Sequence, residues 1–155
     1  MAVSTTAGSL AQETKITDIE LRAAYCLGVA TAQYEKNQLD KSKVQPGPGD
    51  LRGFVFAETE KVISERRDRF KDYLNIKGFL SGRTIRAIQV PLQRGTTDAT
   101  QCIKDNEDPY LKRCRKQCSD YPDDFLRSHK ECDAKCPSSE ACTRVKRCLE
   151  DFLPF

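Results

Sequence analysis

The chain has no tryptophan, one histidine and one methionine among its 155 residues. A single imidazole leaves little material for histidine-based catalysis or a histidine metal site, and no glycine-rich phosphate loop can be read anywhere. Long apolar runs are missing too. The longest, Ala23 to Ala32, is interrupted by Gly28 and Thr31, far short of the ~20 residues a bilayer span needs. Neither sign of charge dominates, with 26 Lys and Arg against 23 Asp and Glu. What the chain does have is cysteine. Eight of them, an even number, exceed what a cytosolic housekeeping domain usually carries and point to four disulfides in an oxidising compartment.

The start, Met1-Ala-Val-Ser-Thr-Thr-Ala-Gly-Ser, has no basic segment and no apolar run of signal length. The expectation is therefore a mature secreted or periplasmic protein whose export signal has been removed. Met1 is then an added start, and residues 1–15 a disordered leader. The alternative is a cytosolic protein with reduced thiols.

Helical signals fill the rest. Thr17-Asp-Ile-Glu20 is a capping box with Ile16 and Leu21 as its staple. From there Ile16, Ile19, Ala23, Cys26, Leu27, Ala30 and Tyr34 form one stripe to about Asn37. Pro46-Gly-Pro-Gly-Asp50 is a turn. A second helix is expected from Leu51 to about Lys77, with Leu51, Val55, Val62, Ile63, Phe70, Tyr73 and Leu74 on its apolar side and Gly78 as its stop. Its other side mixes acids and bases. Residues 82–94 read as a shorter helix troubled by Pro91, with a strand through Ile85 to Val90 as the weaker option, and Gly95-Thr-Thr-Asp98 reads as punctuation. Asp98 would cap a short helix through Cys102, and Asp108-Pro109 would open another to about Cys118. Asp123 or Asp124 would start a helix facing inward through Phe125, His129, Cys132 and Cys136. Ser138 or Ser139 would start the last, on Cys142, Val145, Leu149 and Phe152.

The most specific pattern is Cys114-x3-Cys118 followed by Cys132-x3-Cys136, because i,i+4 spacing puts each pair on one helix face. In an antiparallel hairpin the match is nested, Cys114 with Cys136 and Cys118 with Cys132, and the inner loop contributes about 3 kcal/mol on the chain-entropy model. Over about residues 110–140 this spacing resembles the twin CX3C helical hairpin of the small mitochondrial Tim chaperones and the plant α-hairpinin peptides, as a shared stapling device. Four cysteines remain. Cys142 and Cys148, six apart on one helix, are separated by a rise of about 9 Å, too far for a mutual disulfide. Cys26 and Cys102 must therefore both bond the last helix, either as Cys26–Cys148 with Cys102–Cys142, the favoured set, or as the swap.

Rival chemistry is weaker at each point. The CX3C thiols could form a four-thiolate zinc site, but structural zinc arms are usually CxxC on turns. His129 shares a face with Cys132 and Cys136, as a nucleophile's partner would, yet those thiols are claimed by the pairing pattern. Asp123-Asp124 and Glu107-Asp108 sit at expected caps or turns. Basic clusters at Arg66-Arg67-x-Arg69, Lys112-Arg113-x-Arg115-Lys116 and Arg144-x-Lys146-Arg147 suggest a phosphate track. Residues 51–101 hold ten bases to six acids, but residues 102–155 balance, so solvated helix faces are the plainer reading.

The sequence thus points to an all-α domain over residues 16–155, five to six helices in a disulfide-stapled bundle ending in a twin CX3C hairpin. Residues 16–95 would supply the N-terminal helices, and residues 96–155 the Cys-rich hairpin and last helix. The expected function is a non-enzymatic secreted or periplasmic binding or interaction protein. It would meet a protein or small ligand by a helical face such as the charged side of Leu51 to Lys77. No catalytic residue, cofactor, metal, nucleic acid or membrane span is expected. A small enzyme remains the alternative, built on His129 or on Tyr25, Tyr34 and Tyr73, and it requires one of these in a concave site with a shifted pKa. A thiol redox or zinc protein is the third reading. The apolar tail Phe152-Leu-Pro-Phe155 has no assigned role.

Overall fold

Thr17 opens helix α1 (Asp18–Lys43) through its capping box, with the Glu20 carboxylate accepting the Thr17 N–H at 2.8 Å. The computed structural model describes residues 15–45, 47–80, 82–119, 132 and 134–150. Helix α1 continues past Asn37 because its last turns have partners. The Asn37 amide donates to the Phe56 carbonyl at 3.2 Å, Lys36 holds Asp40 at 2.6 Å, and Lys41 reaches Glu60 at 3.1 Å. These contacts run α1 antiparallel to helix α2 (Arg52–Ile76). Helix α2 ends in a Schellman motif: the Phe79 N–H bonds the Leu74 carbonyl and the Gly78 N–H that of Asn75, with Gly78 at φ +77°.

The apolar side expected for α2 needs correction. Leu51, Val55 and Val62 are exposed, and the face turned to α1 carries Phe56, Glu60, Ile63, Arg67, Phe70 and Leu74 at spacings of four and three. Two of these are charged and hid the stripe. Glu60 pairs with Lys41, and the Arg67 guanidinium stacks on the Tyr34 ring at 4.2 Å.

A short 3-10 turn, Gly82–Thr84, leads into helix α3 (Ile85–Glu107). This helix is unbroken, which corrects the expected stop at Gly95-Thr-Thr-Asp98 and the separate short helix after it. It also passes through the 95/96 point at which the sequence reading divides the domain. The reason is tertiary. A Cβ at Gly95 would overlap the Tyr25 backbone carbonyl, and one at Gly28 would overlap that of Leu92. The two glycines let α1 and α3 touch backbone to backbone. The Thr96 hydroxyl donates across the crossing to the Gly28 carbonyl at 3.3 Å, while Thr96, Thr97 and Thr100 each reach the carbonyl four residues back. The two helices run the same way, Tyr25 beside Asp98 and Lys36 beside Glu107.

Asp108 caps helix α4 (Pro109–Ser119), accepting the Tyr110 N–H at 2.8 Å. The expected helix through His129 lies outside the described residues except near its end, where the Cys136 N–H reaches the Cys132 carbonyl at 2.7 Å. Ser139 caps the last helix, α5 (Glu140–Glu150), through the Cys142 N–H. Helix α5 lies antiparallel to α3. Four disulfides join Cys26 to Cys148, Cys102 to Cys142, Cys114 to Cys136 and Cys118 to Cys132, with Cα separations of 5.5, 4.7, 5.9 and 5.6 Å. The core of this all-α, disulfide-stapled bundle is Ala23, Ala24, Leu27, Val29, Phe70, Leu74, Phe79, Ile88, Ala99 and Val145 around the first two disulfides. No helix among the described residues is long and apolar enough to cross a membrane.

Helix propensity and packing give opposite signs at the crossing. Alanine at Gly28 or Gly95 would favour an isolated helix by up to about 1 kcal/mol, whereas the backbone overlap costs about 1–3 kcal/mol. We expect Gly28→Ala and Gly95→Ala each to lower the urea midpoint followed by circular dichroism. An unchanged or raised midpoint would show that the helices do not touch here.

Candidate functional site

Helical register brings three sets of side chains to one hollow. Asp18, Leu21, Arg22, Tyr25 and Cys26 share a face of α1, Val90, Pro91 and Arg94 a face of α3, and Arg144, Arg147 and Cys148 a face of α5. Together they wall a half-open cavity of about 430 Å³, within the size range of small-molecule sites. Its apolar surface comes from Leu21, Val90, Pro91 and the Cys26–Cys148 disulfide. Pro91 has no N–H for the α3 ladder, and its ring faces this hollow.

Two of the lining residues are fixed from behind by Asp98. The Tyr25 hydroxyl donates to Asp98 Oδ2 at 2.8 Å, Arg144 Nε donates to the same oxygen at 2.7 Å, and a terminal Arg144 nitrogen donates to Oδ1 at 2.9 Å. The buried carboxylate thus receives a two-pronged guanidinium and a phenol. Arg144 holds Asp98 below the usual carboxylate range, with the Tyr25 hydrogen bond and the charges of Arg144 and Arg94 adding to it against burial. Arg144 is held more firmly protonated by the same hydrogen bonds. Burial first, then the hydrogen bond and charge of Asp98, push the Tyr25 phenol up to about 12. Asp98, read from sequence as a helix cap, is instead the buried anchor of three helices.

Other candidates are dispersed. Of the three tyrosines named above, Tyr25 lines the cavity, Tyr34 lies under Arg67, and Tyr73 sits near Lys77 and Glu20. His129, Asp123 and Asp124 lie outside the described residues. Glu107 pairs with Lys36 at 3.0 Å. Each basic cluster is engaged locally: Arg67 with Tyr34, Arg115 with Asn106 and Ser138, Arg144 with Asp98. Cys114, Cys118, Cys132 and Cys136 are tied in disulfides, whose sulfurs are not thiolate ligands. Among the described residues no His, Cys, Asp or Glu group of three or more is placed to hold a metal ion. A second hollow of similar volume, between Cys102, Asn106, Ser138, Val145 and Leu149, is lined in part by side chains already hydrogen-bonded to one another.

No protein-family model, no curated protein and no solved structure matches the chain.

The sequence reading missed the cavity because its residues are more than a hundred positions apart and only their shared faces link them. One signal was present: Asp18, Leu21, Arg22 and Tyr25 fall at i, i+3, i+4 and i+7 beside Cys26, the cysteine that must reach the last helix.

The electrostatics give signed expectations. The lowered Asp98 stabilises the fold fully above the ordinary carboxylate range, near pH 4, and this is lost as pH falls through its depressed folded value. The raised Tyr25 stabilises below about pH 10, and this is lost as pH rises through about 12. We expect Asp98→Ala to cost about 2 kcal/mol at pH 7 and to flatten the acid limb of stability. Phenolate absorbance should show one tyrosine titrating near 12, absent in Tyr25→Phe and shifted down in Asp98→Asn. A Tyr25 that titrates near 10 in the native chain would contradict the arrangement.

Proposed function

We propose that the chain is an extracytoplasmic, non-enzymatic binding protein whose small-molecule ligand occupies the cavity between α1, α3 and α5. The observation that carries this reading is a hollow of ligand size, about 430 Å³, walled by three helices of which α5 is covalently fixed to both others. A cavity held open in this way binds without a closing cost. All eight cysteines are paired, which supports a compartment where disulfides persist.

An enzyme in the same hollow would need a group poised near neutral pH. Tyr25 does lie in a concave site with a shifted pKa, but its shift is upward, to about 12, which makes the phenol a poorer acid at pH 7. Asp98 has both oxygens occupied by Arg144 and Tyr25. The cluster reads as a brace for the wall.

The test uses N-phenyl-1-naphthylamine, a neutral apolar fluorophore. Because the chain has no tryptophan, Leu21→Trp both plugs the cavity and reports on it. We expect saturable one-site binding to the native protein, weakened about tenfold or more in Leu21→Trp at unchanged helicity, and retained in Tyr25→Phe. A one-site loss of about 1.4 kcal/mol corresponds to that factor. No saturable binding, or binding indifferent to both Leu21→Trp and Val90→Trp, overturns the proposal.

A further inference from the structure

Charge around the cavity is one-sided. Four guanidiniums, Arg22, Arg94, Arg144 and Arg147, line it against the single carboxylate of Asp18. Arg144 is spent on Asp98. Arg22, Arg94 and Arg147 form no ion pair with another described residue, in a chain whose net charge is only +3. They come from three different helices, so no local helix pattern explains their convergence. Elsewhere the basic clusters have local partners, as Arg67 and Arg115 do. Here like charges meet around an apolar floor of Leu21, Val90, Pro91 and the Cys26–Cys148 disulfide. Such crowding is unfavourable unless an anion joins it, and guanidinium forks match the oxygens of a carboxylate or sulfonate.

We infer that the ligand is an amphipathic anion, an apolar body seated on Leu21, Val90, Pro91 and the disulfide with an acidic group held by Arg22, Arg94 and Arg147. This rests on the cavity being the binding site. The apolar floor gives the body a place out of water, and the arginine ring selects the charge. A neutral molecule of the same shape gains only the first, and a cation meets repulsion.

A matched pair of probes separates the two contributions: N-phenyl-1-naphthylamine and 1-anilinonaphthalene-8-sulfonate, which share a ring system and differ by the sulfonate. The native protein should bind the sulfonate about tenfold tighter or more, a charge-assisted gain, in a manner abolished by Leu21→Trp. Raising the salt to about 0.5 M should shrink the preference by screening. Arg22→Ala, Arg94→Ala and Arg147→Ala should each reduce it several-fold while leaving the neutral probe's affinity unchanged. Arg69→Ala, on the exposed surface of α2, removes the same charge elsewhere and should do neither. Equal binding of both probes, still sensitive to Leu21→Trp, overturns the inference and leaves the binding reading standing. Failure of either probe to bind overturns both. Sulfonate binding indifferent to Leu21→Trp places it outside the cavity and overturns the inference.

Discussion

The backbone contact of α1 and α3 at Gly28 and Gly95 is the constraint from which the other features follow. It brings Tyr25 within 2.8 Å of Asp98 and sets Cys26 and Cys102 as two anchor points on neighbouring helices. Helix α5 bridges both, through Cys148 to α1 and Cys142 to α3. With larger residues at the crossing, the helices would separate, and α5 would have to span a wider gap than two disulfides allow.

The same crossing explains how a buried carboxylate is tolerated. A charge removed from water is costly unless its partners are fixed in place. Asp98 sits where α1 supplies a phenol and α5 a guanidinium, each delivered by the geometry that the glycines and disulfides impose. The cluster stiffens one wall of the cavity, and its residues are used up in doing so. The side chains left over, three arginines above an apolar floor, are those from which binding is argued.

Much of the helical framework could be read from sequence because it is signalled locally. The Thr17–Glu20 box, the Gly78 stop, the Asp108-Pro109 start and the Ser139 cap need only a few consecutive residues. Where the sequence reading went astray, distant packing overrode local preference. Gly95 reads as a breaker in isolation and acts as a contact surface against Tyr25. Glu60 and Arg67 read as solvent-facing and lie on the side of α2 turned to α1, because Lys41 and Tyr34 receive them. Asp98 reads as a cap and is a buried anchor. The cavity was not legible, since nothing in a linear pattern reports that Arg22, Arg94 and Arg147 share a rim. The spacing of Cys142 and Cys148 narrowed their partners to two sets, and the direction in which α5 lies on the crossing distinguishes one from the other.

That direction can be measured without any ligand. Trypsin cleaves after Arg144, Lys146 and Arg147, so it separates Cys142 from Cys148. Mass spectrometry of the unreduced, alkylated digest then shows which peptide each remains bound to. The account predicts no alkylated cysteine, the peptide of Cys26 joined to that of Cys148, and the peptide of Cys102 joined to that of Cys142. Free thiols at these positions, or Cys26 joined to Cys142 and Cys102 to Cys148, would reverse or release α5 and contradict the fold on which the cavity depends.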